Sequence, residues 1–318
     1  MKISVVIPLL NESESLAELV DSIKEIMSLH SFTHEIILID DGSDDNSWNV
    51  IESLAKNNKS IKGIKFEKNY GKSQALHAGF NKALGEVVFT MDADLQDDPT
   101  EIPEMYKMIM IDGFDMVSGW KRKRYDSLIF KNIPSKIFNF AARLTSGIRL
   151  NDFNCGLKAY KKELIKSINV YGEMHRYIPI LAKNEGFNKI GEKVVNHRPR
   201  AYGLTKFGPS RFLHGFLDLL TIWFISKFGK RPMHLFGSLG LLMLFTGLVF
   251  AAYIGYDKLY LNPKGILITD RAEFYISLAT MIIGSQFFSM GFIGELLLKN
   301  INKKSNYVIR KKINLWII

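Results

Sequence analysis

Two long apolar stretches near the C-terminus constrain this chain more than any other feature. From His234 to Tyr256 no residue carries a formal charge when the histidine is neutral, and Phe274 to Leu298 carries only Glu295. Each stretch, as a helix, can cross a hydrocarbon core of about 30 Å. A pair of buried helices in a soluble protein is the competing reading, and two successive stretches of this length argue against it. The pattern predicts a membrane region over 233–298, with spans near 234–256 and 274–298. Lys227, Lys230 and Arg231 precede the first span, and Lys299, Lys303, Lys304, Arg310, Lys311 and Lys312 follow the second. The positive-inside rule then puts both termini in the cytoplasm and makes 299–318 a basic cytoplasmic tail.

Upstream the pattern changes. From Ile3 to about Val195, short β-branched runs alternate with longer segments of helical apolar spacing, which is the signature of an α/β domain. Strands are expected at Ile3–Ile7, Glu35–Ile39, Ile61–Phe66, Glu86–Met91 and Asp115–Ser118, with helices near Ser13–Leu29, Asp45–Asn57, Gly71–Leu84 and Pro99–Ile111. This cytoplasmic domain is taken as 1–208. Residues 209–232 follow as a juxtamembrane region, in which Arg211, His214 and Asp218 recur at helical spacing among Phe212, Leu213, Phe216 and Leu217. Such a helix can lie in the membrane interface or pack on the sheet. Met1 to Pro8 holds no signal-peptide core, consistent with a first domain in the cytoplasm. Cys155 is the only cysteine, which excludes an intrachain disulfide and a cysteine-rich zinc site. The net charge of +10 fits nucleic acid, anionic lipid or phosphorylated substrates equally well. Position decides among them: the basic clusters border the spans, where anionic lipid explains them and nucleic acid is not required.

In an α/β sheet, ligands bind beyond the carboxyl ends of the strands. Asp92 and Asp94 leave the fourth strand on alternate residues, where two carboxylates can converge on a hard cation with substrate phosphates completing its shell. A solvated turn also favours aspartate. Asp40 and Asp41 leave the second strand, where a carboxylate can accept from a base or ribose edge, while Ser43 or Asp44 caps the next helix. Glu12, after Pro8-Leu9-Leu10-Asn11, serves either nucleotide contact or the helix N-terminus. Lys121-Arg122-Lys123-Arg124, Lys131 and Ser135 offer cations and a hydroxyl to a phosphate, or to lipid headgroups.

Taken together, Pro8 to Glu12, Asp40 to Ser43 and Asp92 to Gln96 resemble, in order and spacing, the inverting family 2 glycosyltransferases, and among them the polyprenyl-phosphate glycosyltransferases. The likeness runs from Lys2 to about Lys206, and the two spans match the bacterial branch. The resemblance implies a GT-A fold, a Rossmann-like mixed sheet with helices on both faces. It implies a magnesium or manganese ion on Asp92, Asp94 and Gln96, and nucleotide-sugar contacts from Pro8, Leu10, Glu12, Asp40 or Asp41, Lys72 and Ala93. Asp152 would stand near the reacting sugar, and Arg198, Arg200 and Lys206 would close over the diphosphate. Arg122, Arg124, Lys131 and Ser135 would hold the acceptor phosphate, and His175-Arg176 occurs near a similar position in relatives. The implied partners are a nucleotide-sugar (UDP-glucose first, GDP-mannose or UDP-linked amino sugars otherwise), undecaprenyl phosphate, the bilayer of a bacterial inner membrane, and further copies of the chain in a tetramer.

Rival readings fare worse. A processive polysaccharide synthase would carry a Gln-x-x-Arg-Trp motif, and no glutamine here begins one. A non-catalytic scaffold sits poorly with an intact Asp92-Ala93-Asp94. Gly71-Lys72-Ser73 hints at a P-loop, but Phe66 stands where its first glycine is required. The first strand is followed by Pro8 to Glu12 in place of a dinucleotide-binding glycine fingerprint.

Overall fold

The computed structural model describes residues 1–122, 139, 140, 142, 143, 146–172, 174–198, 224, 228, 231–300 and 309–314. The chain divides into two compact units, Met1–Trp223 with Ser305–Ile318, and Phe224–Lys304.

In the first unit, strands β1 (Ile3–Leu9), β2 (His34–Asp40), β3 (Ile61–Phe66), β4 (Val87–Thr90), β5 (Met116–Trp120), β6 (Lys158–Lys161), β7 (Ile190–Val194) and β8 (Ile309–Ile313) form one sheet in the order β7-β5-β6-β4-β1-β2-β3-β8. β1 runs parallel to β2 and β4, β2 runs parallel to β3, and β6 is antiparallel to both of its neighbours. Helices α1 (Leu16–Leu29), α2 (Ser47–Asn57), α3 (Lys72–Lys82) and α4 (Ile102–Met110) connect the early strands, and α5 (Lys162–Ser167) and α6 (Ile178–Asn184) follow β6.

All seven residues of β1 are buried, as expected of a strand covered on both faces. Alternation divides them. Ile3, Val5, Ile7 and Leu9 share a core with Leu16, Leu19, Val20 and Ile23 of α1, Ile51 of α2, and Ile102, Met105 and Ile109 of α4. Val6 faces α3 on the other side, so close to Gly79 that a Cβ there would stand 2.3 Å from its side chain. The buried positions of α1 recur at three- and four-residue spacing, so burial reinforces the helical period already present in the sequence.

Because β1, β2 and β4 are parallel and adjacent, their carboxyl ends open on one edge of the sheet. Residues 10–12, 41–43 and 91–94 leave from that edge. Three strands escaped the sequence reading: β6, β7 and β8. The last lies inside the segment read only as a basic tail, and it pairs antiparallel with β3. Asn314 then donates to the carbonyls of Ala55 and Ile61 at 2.9 and 3.0 Å. The predicted juxtamembrane helix over 209–232 lies almost wholly outside the described residues.

The second unit is a helical pair, α7 (Pro232–Tyr256) and α8 (Ala272–Asn300). Its candidate spans, Pro232–Leu261 and Ala272–Leu297, have mean hydropathies of 2.1 and 1.6, and only 17% of each apolar window is buried. Exposed apolar helices of this length suit a hydrocarbon surrounding. Glycines bring the two backbones together: a Cβ on Gly240 would stand 2.6 Å from the Gly284 carbonyl oxygen, and one on Gly247 2.8 Å from that of Ser277. At the turn, Asp257 pairs with Arg271 at 2.6 Å and accepts from Asn262 at 2.9 Å.

Candidate active site

The loops after β1 and β2 are stitched to each other. Asn11 N–H donates to Ser43 Oγ at 2.9 Å, and Asp44 N–H returns a bond to Asn11 Oδ1 at 2.9 Å. Glu12 N–H donates to Ser47 Oγ at 3.0 Å, which fixes the entry to α1 beside the start of α2. Asn11 adopts a φ of +53°, a conformation asparagine tolerates better than most residues. Gly42, at a φ of +78°, passes so close to Lys68 that an added Cβ would lie 2.5 Å from its carbonyl carbon.

Asp40 and Asp41 both serve this scaffold. Asp40 is fully buried, accepts from Ser43 N–H at 2.8 Å and stands 3.6 Å from Lys65 Nζ. Asp41 takes two backbone donors, Tyr70 N–H at 2.7 Å and Gly71 N–H at 2.9 Å, and so anchors the loop that precedes α3. Burial, partly opposed by those two bonds, pushes its carboxyl up to about 6. Pro8 is buried in β1 and Leu10 and Glu12 are half-buried beyond it, all at the same edge.

Asp92 and Asp94 follow β4, separated by Ala93, which packs into the core. Lys72, the first residue of α3, donates to Asp92 Oδ1. Burial works against the Asp92 carboxylate, yet Lys72 and then Lys121 outweigh it and hold the group well below the usual carboxylate range. Gly156 leaves room for this carboxylate, since a Cβ there would lie 2.5 Å from Asp92 Oδ2. Asp94 is held differently: among the described residues its Oδ1 accepts only Gln96 N–H, at 3.2 Å, across a turn in which Leu95 has a φ of +60°. Burial first, then the charges of Asp92 and Asp97, push Asp94 up to about 6.

Asp97 closes this turn by accepting Asp92 N–H at 3.2 Å, and Lys121 pairs with Asp97 at 2.9 Å. Lys121, read from the sequence as part of a cationic run facing a phosphate, is thus turned inward. Burial opposes its charge, but Asp97, Cys155 and Asp92 raise its pKa all the same. Arg198 also has a partner within the protein: Nη2 donates to Asp98 at 2.9 Å, and its N–H reaches the Gln96 carbonyl at 3.0 Å.

Asp152 is buried, and its Oδ1 accepts Asn154 N–H at 3.0 Å. Glu192 on β7 fixes the backbone here, accepting from the N–H groups of Asn151 and Asp152 at 2.8 and 2.9 Å. A cavity joins Asp92, Lys72 and Pro8 to Asn154, Lys158 and Arg176. Lys158 is 4% exposed and donates to the Cys155 carbonyl, and burial lowers its pKa. His175, whose ring Nδ1 lies 3.2 Å from Ser73 Oγ, has its pKa driven well below the usual value by burial and then by Lys72 and Arg176. Cys155 is buried and its thiol is pushed up to about 12 by burial, so it is structural and not nucleophilic.

The structure therefore gathers Pro8, Lys72, Asp92, Ala93, Asp94, Gln96 and Asp152 around one end of the sheet, with Asp40 and Asp41 in the neighbouring turn. Arg122 is exposed after β5. Arg124, Lys131, Ser135, Arg200 and Lys206 lie outside the described residues. Lys158, Glu192 and the place of Arg176 in the Asp92 cavity were not apparent from the sequence, where no local pattern ties them to Asp92. Among the described residues no group of three or more His, Cys, Asp and Glu side chains could hold a metal ion. Two hard carboxylates, one of them destabilised by its acidic neighbours, nevertheless fit a cation whose remaining positions are filled by substrate phosphates.

Residues 4–168 match the sequence profile of Glycosyl transferase family 2. Among curated proteins the chain is 32% identical over 316 residues to a dodecaprenyl-phosphate galacturonate synthase of Rhizobium johnstonii, covering 98% of this chain and 93% of that protein. It is also 32% identical over 317 residues to an undecaprenyl-phosphate 4-deoxy-4-formamido-L-arabinose transferase of Yersinia pestis, with the same coverage. Among solved structures, glucosyl-3-phosphoglycerate synthase from Mycobacterium tuberculosis in complex with UDP matches with a TM-score of 0.55 and 19% identity, over 71% of this chain and 79% of that one. The same enzyme with Mn2+, UDP and glucosyl-3-phosphoglycerate gives a TM-score of 0.54 at 20% identity, again over 71% and 79%. The structural likeness concerns the fold, and the sequence matches extend through the membrane pair: the chain belongs to glycosyl transferase family 2 and is a glycosyltransferase.

Proposed function

We propose that this enzyme transfers a sugar from a nucleotide-sugar to a polyprenyl phosphate at the cytoplasmic face of a membrane. The observation that carries this reading is similarity over 98% of the chain, both apolar helices included, to two transferases named for polyprenyl-phosphate acceptors. A membrane pair retained together with the sugar-transfer domain suits an acceptor that resides in the bilayer. Undecaprenyl phosphate is the proposed acceptor. UDP-glucose is the first donor to test and GDP-mannose the next. The relatives' names add uronic and formamido sugars to the panel.

In the proposed reaction an acceptor phosphate oxygen attacks the anomeric carbon, the bond from that carbon to the diphosphate breaks, and configuration inverts. A phosphate monoester, with a second pKa near 6, is largely dianionic at neutral pH and needs no strong base. Asp152 then acts as an orienting group or weak base, held by Asn154 N–H. Asp92, Asp94 and Gln96 would hold a magnesium or manganese ion, which when bound would neutralise charge on the departing diphosphate. Lys72 adds a positive charge at the same place. Glu12, Asp40 or Asp41 would contact the nucleoside. Arg198, Arg200 and Lys206 would cover the diphosphate, Arg198 after exchanging Asp98 for it. Arg122, Arg124, Lys131 and Ser135 would bind the acceptor. Both termini would be cytoplasmic, a reading supported by β8, which returns after the helical pair to the sheet that contains β1. A homotetramer is the proposed assembly.

The test uses detergent-purified protein, undecaprenyl phosphate, magnesium or manganese, and labelled UDP- and GDP-sugars, with Asp94→Ala beside the wild type. Label entering the lipid from one donor, dependent on metal and abolished by Asp94→Ala, is the expected result. Folded, nucleotide-binding protein that labels no lipid overturns the acceptor.

A further inference from the structure

The cations around Asp92 are not equivalent. Lys72 is paired with Asp92, Lys121 with Asp97 and Arg198 with Asp98, while Lys158 donates to the Cys155 carbonyl. Arg176 lines the same cavity as Lys72 and Asp92 and is half-buried, yet among the described residues it has no carboxylate or other acceptor. A guanidinium partly removed from water recovers its lost solvation best with an oxyanion, whose geometry its fork of donors matches.

The backbone holds Arg176 in this position. Met174 and Tyr177, in the same short 3-10 helix, are 7% and 1% exposed and plant the turn in the core. His175 N–H donates to Ser73 Oγ at 3.0 Å, tying the turn to the start of α3, next to Lys72. The guanidinium is thus presented to the Asp92 cavity by a fixed segment, without a partner among the described residues, in a wall that also carries Lys72 and Lys158.

We infer that Arg176 binds a phosphate group at the reaction centre. This rests on the proposed sugar transfer, which brings two phosphates to Asp92: the diphosphate of the donor and the phosphate of the acceptor. Both offer an oxyanion, the partner that Arg176 does not have among the described residues. The residue would fix the distance between the sugar and its leaving or entering oxygen, and would stabilise charge as it shifts between them.

The test compares wild type, Arg176→Gln and Arg176→Lys, with thermal melting to confirm that each folds. Calorimetry measures binding of UDP and of GDP, and steady-state labelling gives kcat and the KM for undecaprenyl phosphate. Arg176→Gln is expected to lower kcat/KM about 100- to 1,000-fold, the range for loss of one preorganised charge donor. Arg176→Lys should recover part of it, because a point charge replaces the fork. Weakened nucleotide binding with unchanged acceptor KM assigns the donor's phosphate, and the reverse assigns the acceptor's. Unchanged kinetics in Arg176→Gln, or a fall in kcat alone that lysine does not relieve, overturns the inference while leaving the wild-type reaction standing. A wild type that binds neither nucleotide and transfers no sugar overturns the proposed function, and the role of Arg176 with it.

Discussion

Two acidic turns leave neighbouring regions of one sheet edge, look alike in sequence, and are used in opposite ways. In the Asp40-Asp41 turn, carboxylate oxygens accept backbone N–H groups of Ser43, Tyr70 and Gly71. In the Asp92-Ala93-Asp94 turn, Asp92 faces Lys72, while Asp94 has one weak backbone donor and two acidic neighbours. Asp41, both of whose carboxylate oxygens accept main-chain donors, is holding the fold. Asp94, left facing other carboxylates, is available for a ligand. The type of partner, more than the acidity or position of the residue, separates scaffold from chemistry.

The largest expected difference is in activity. Asp94→Ala should reduce sugar transfer by about 1,000-fold or more, as loss of a group that stabilises developing charge does, and should leave the melting temperature unchanged or raised. Asp41→Ala should do the reverse in stability: two half-buried N–H groups lose their acceptor, at a cost of about 2 kcal/mol in chemical denaturation. Equal destabilisation by the two substitutions would break the distinction drawn here.

A smaller effect concerns pH. With its ordinary value of 3.8 raised to about 6, Asp41 keeps its proton in the folded state through a window where the unfolded chain has released it. The native state therefore binds more protons between those values, and stability falls as pH rises through them, with no further change above. Asp41→Asn, which cannot titrate, should show a shallower decline in melting temperature from pH 4 to 6 than the wild type. A parallel decline would show that another group dominates. The smallest effect is expected at β8, where Arg310 and Lys311 pair with Glu67 and Glu52 at 3.7 and 3.5 Å on roughly half-exposed surface. Replacing either cation with alanine should change stability by less than about 0.5 kcal/mol, whereas removing Asn314, which caps two carbonyls, should cost about 1 kcal/mol.

The parts of the molecule legible in the sequence are those whose signal is local. β1 to β4 and α1 to α4 carry their own period, and Asp92 and Asp94 are placed by the strand they leave. β6 reads Lys-Ala-Tyr-Lys and β8 reads Ile-Arg-Lys-Lys-Ile. Neither run suggests a strand until its partner is known, because β6 needs β4 and β5, and β8 needs an open edge on β3. The site divides in the same way. Lys72 stands beside Gly71 in a recognisable turn, but His175 reaches Ser73 across 102 positions, a contact no window of sequence contains. Lys121 misled for a related reason, since a run of cations looks solvated until Asp97 is seen to bury one of them.

The place of β8 gives the chain an order of completion. Residues 309–313 are synthesised after both apolar helices, yet they finish the sheet begun by residues 3–9. Until then β3 presents an open edge, the kind of surface on which unfinished sheets associate wrongly. If the pair spans a bilayer with both termini on one side, as proposed, a second helix threaded in the wrong direction would strand residues 309–313 across the bilayer from β3 and leave that edge bare. In the proposed topology the last strand therefore doubles as a record of correct insertion: a hairpin that returns to its starting side lets the chain close its own sheet.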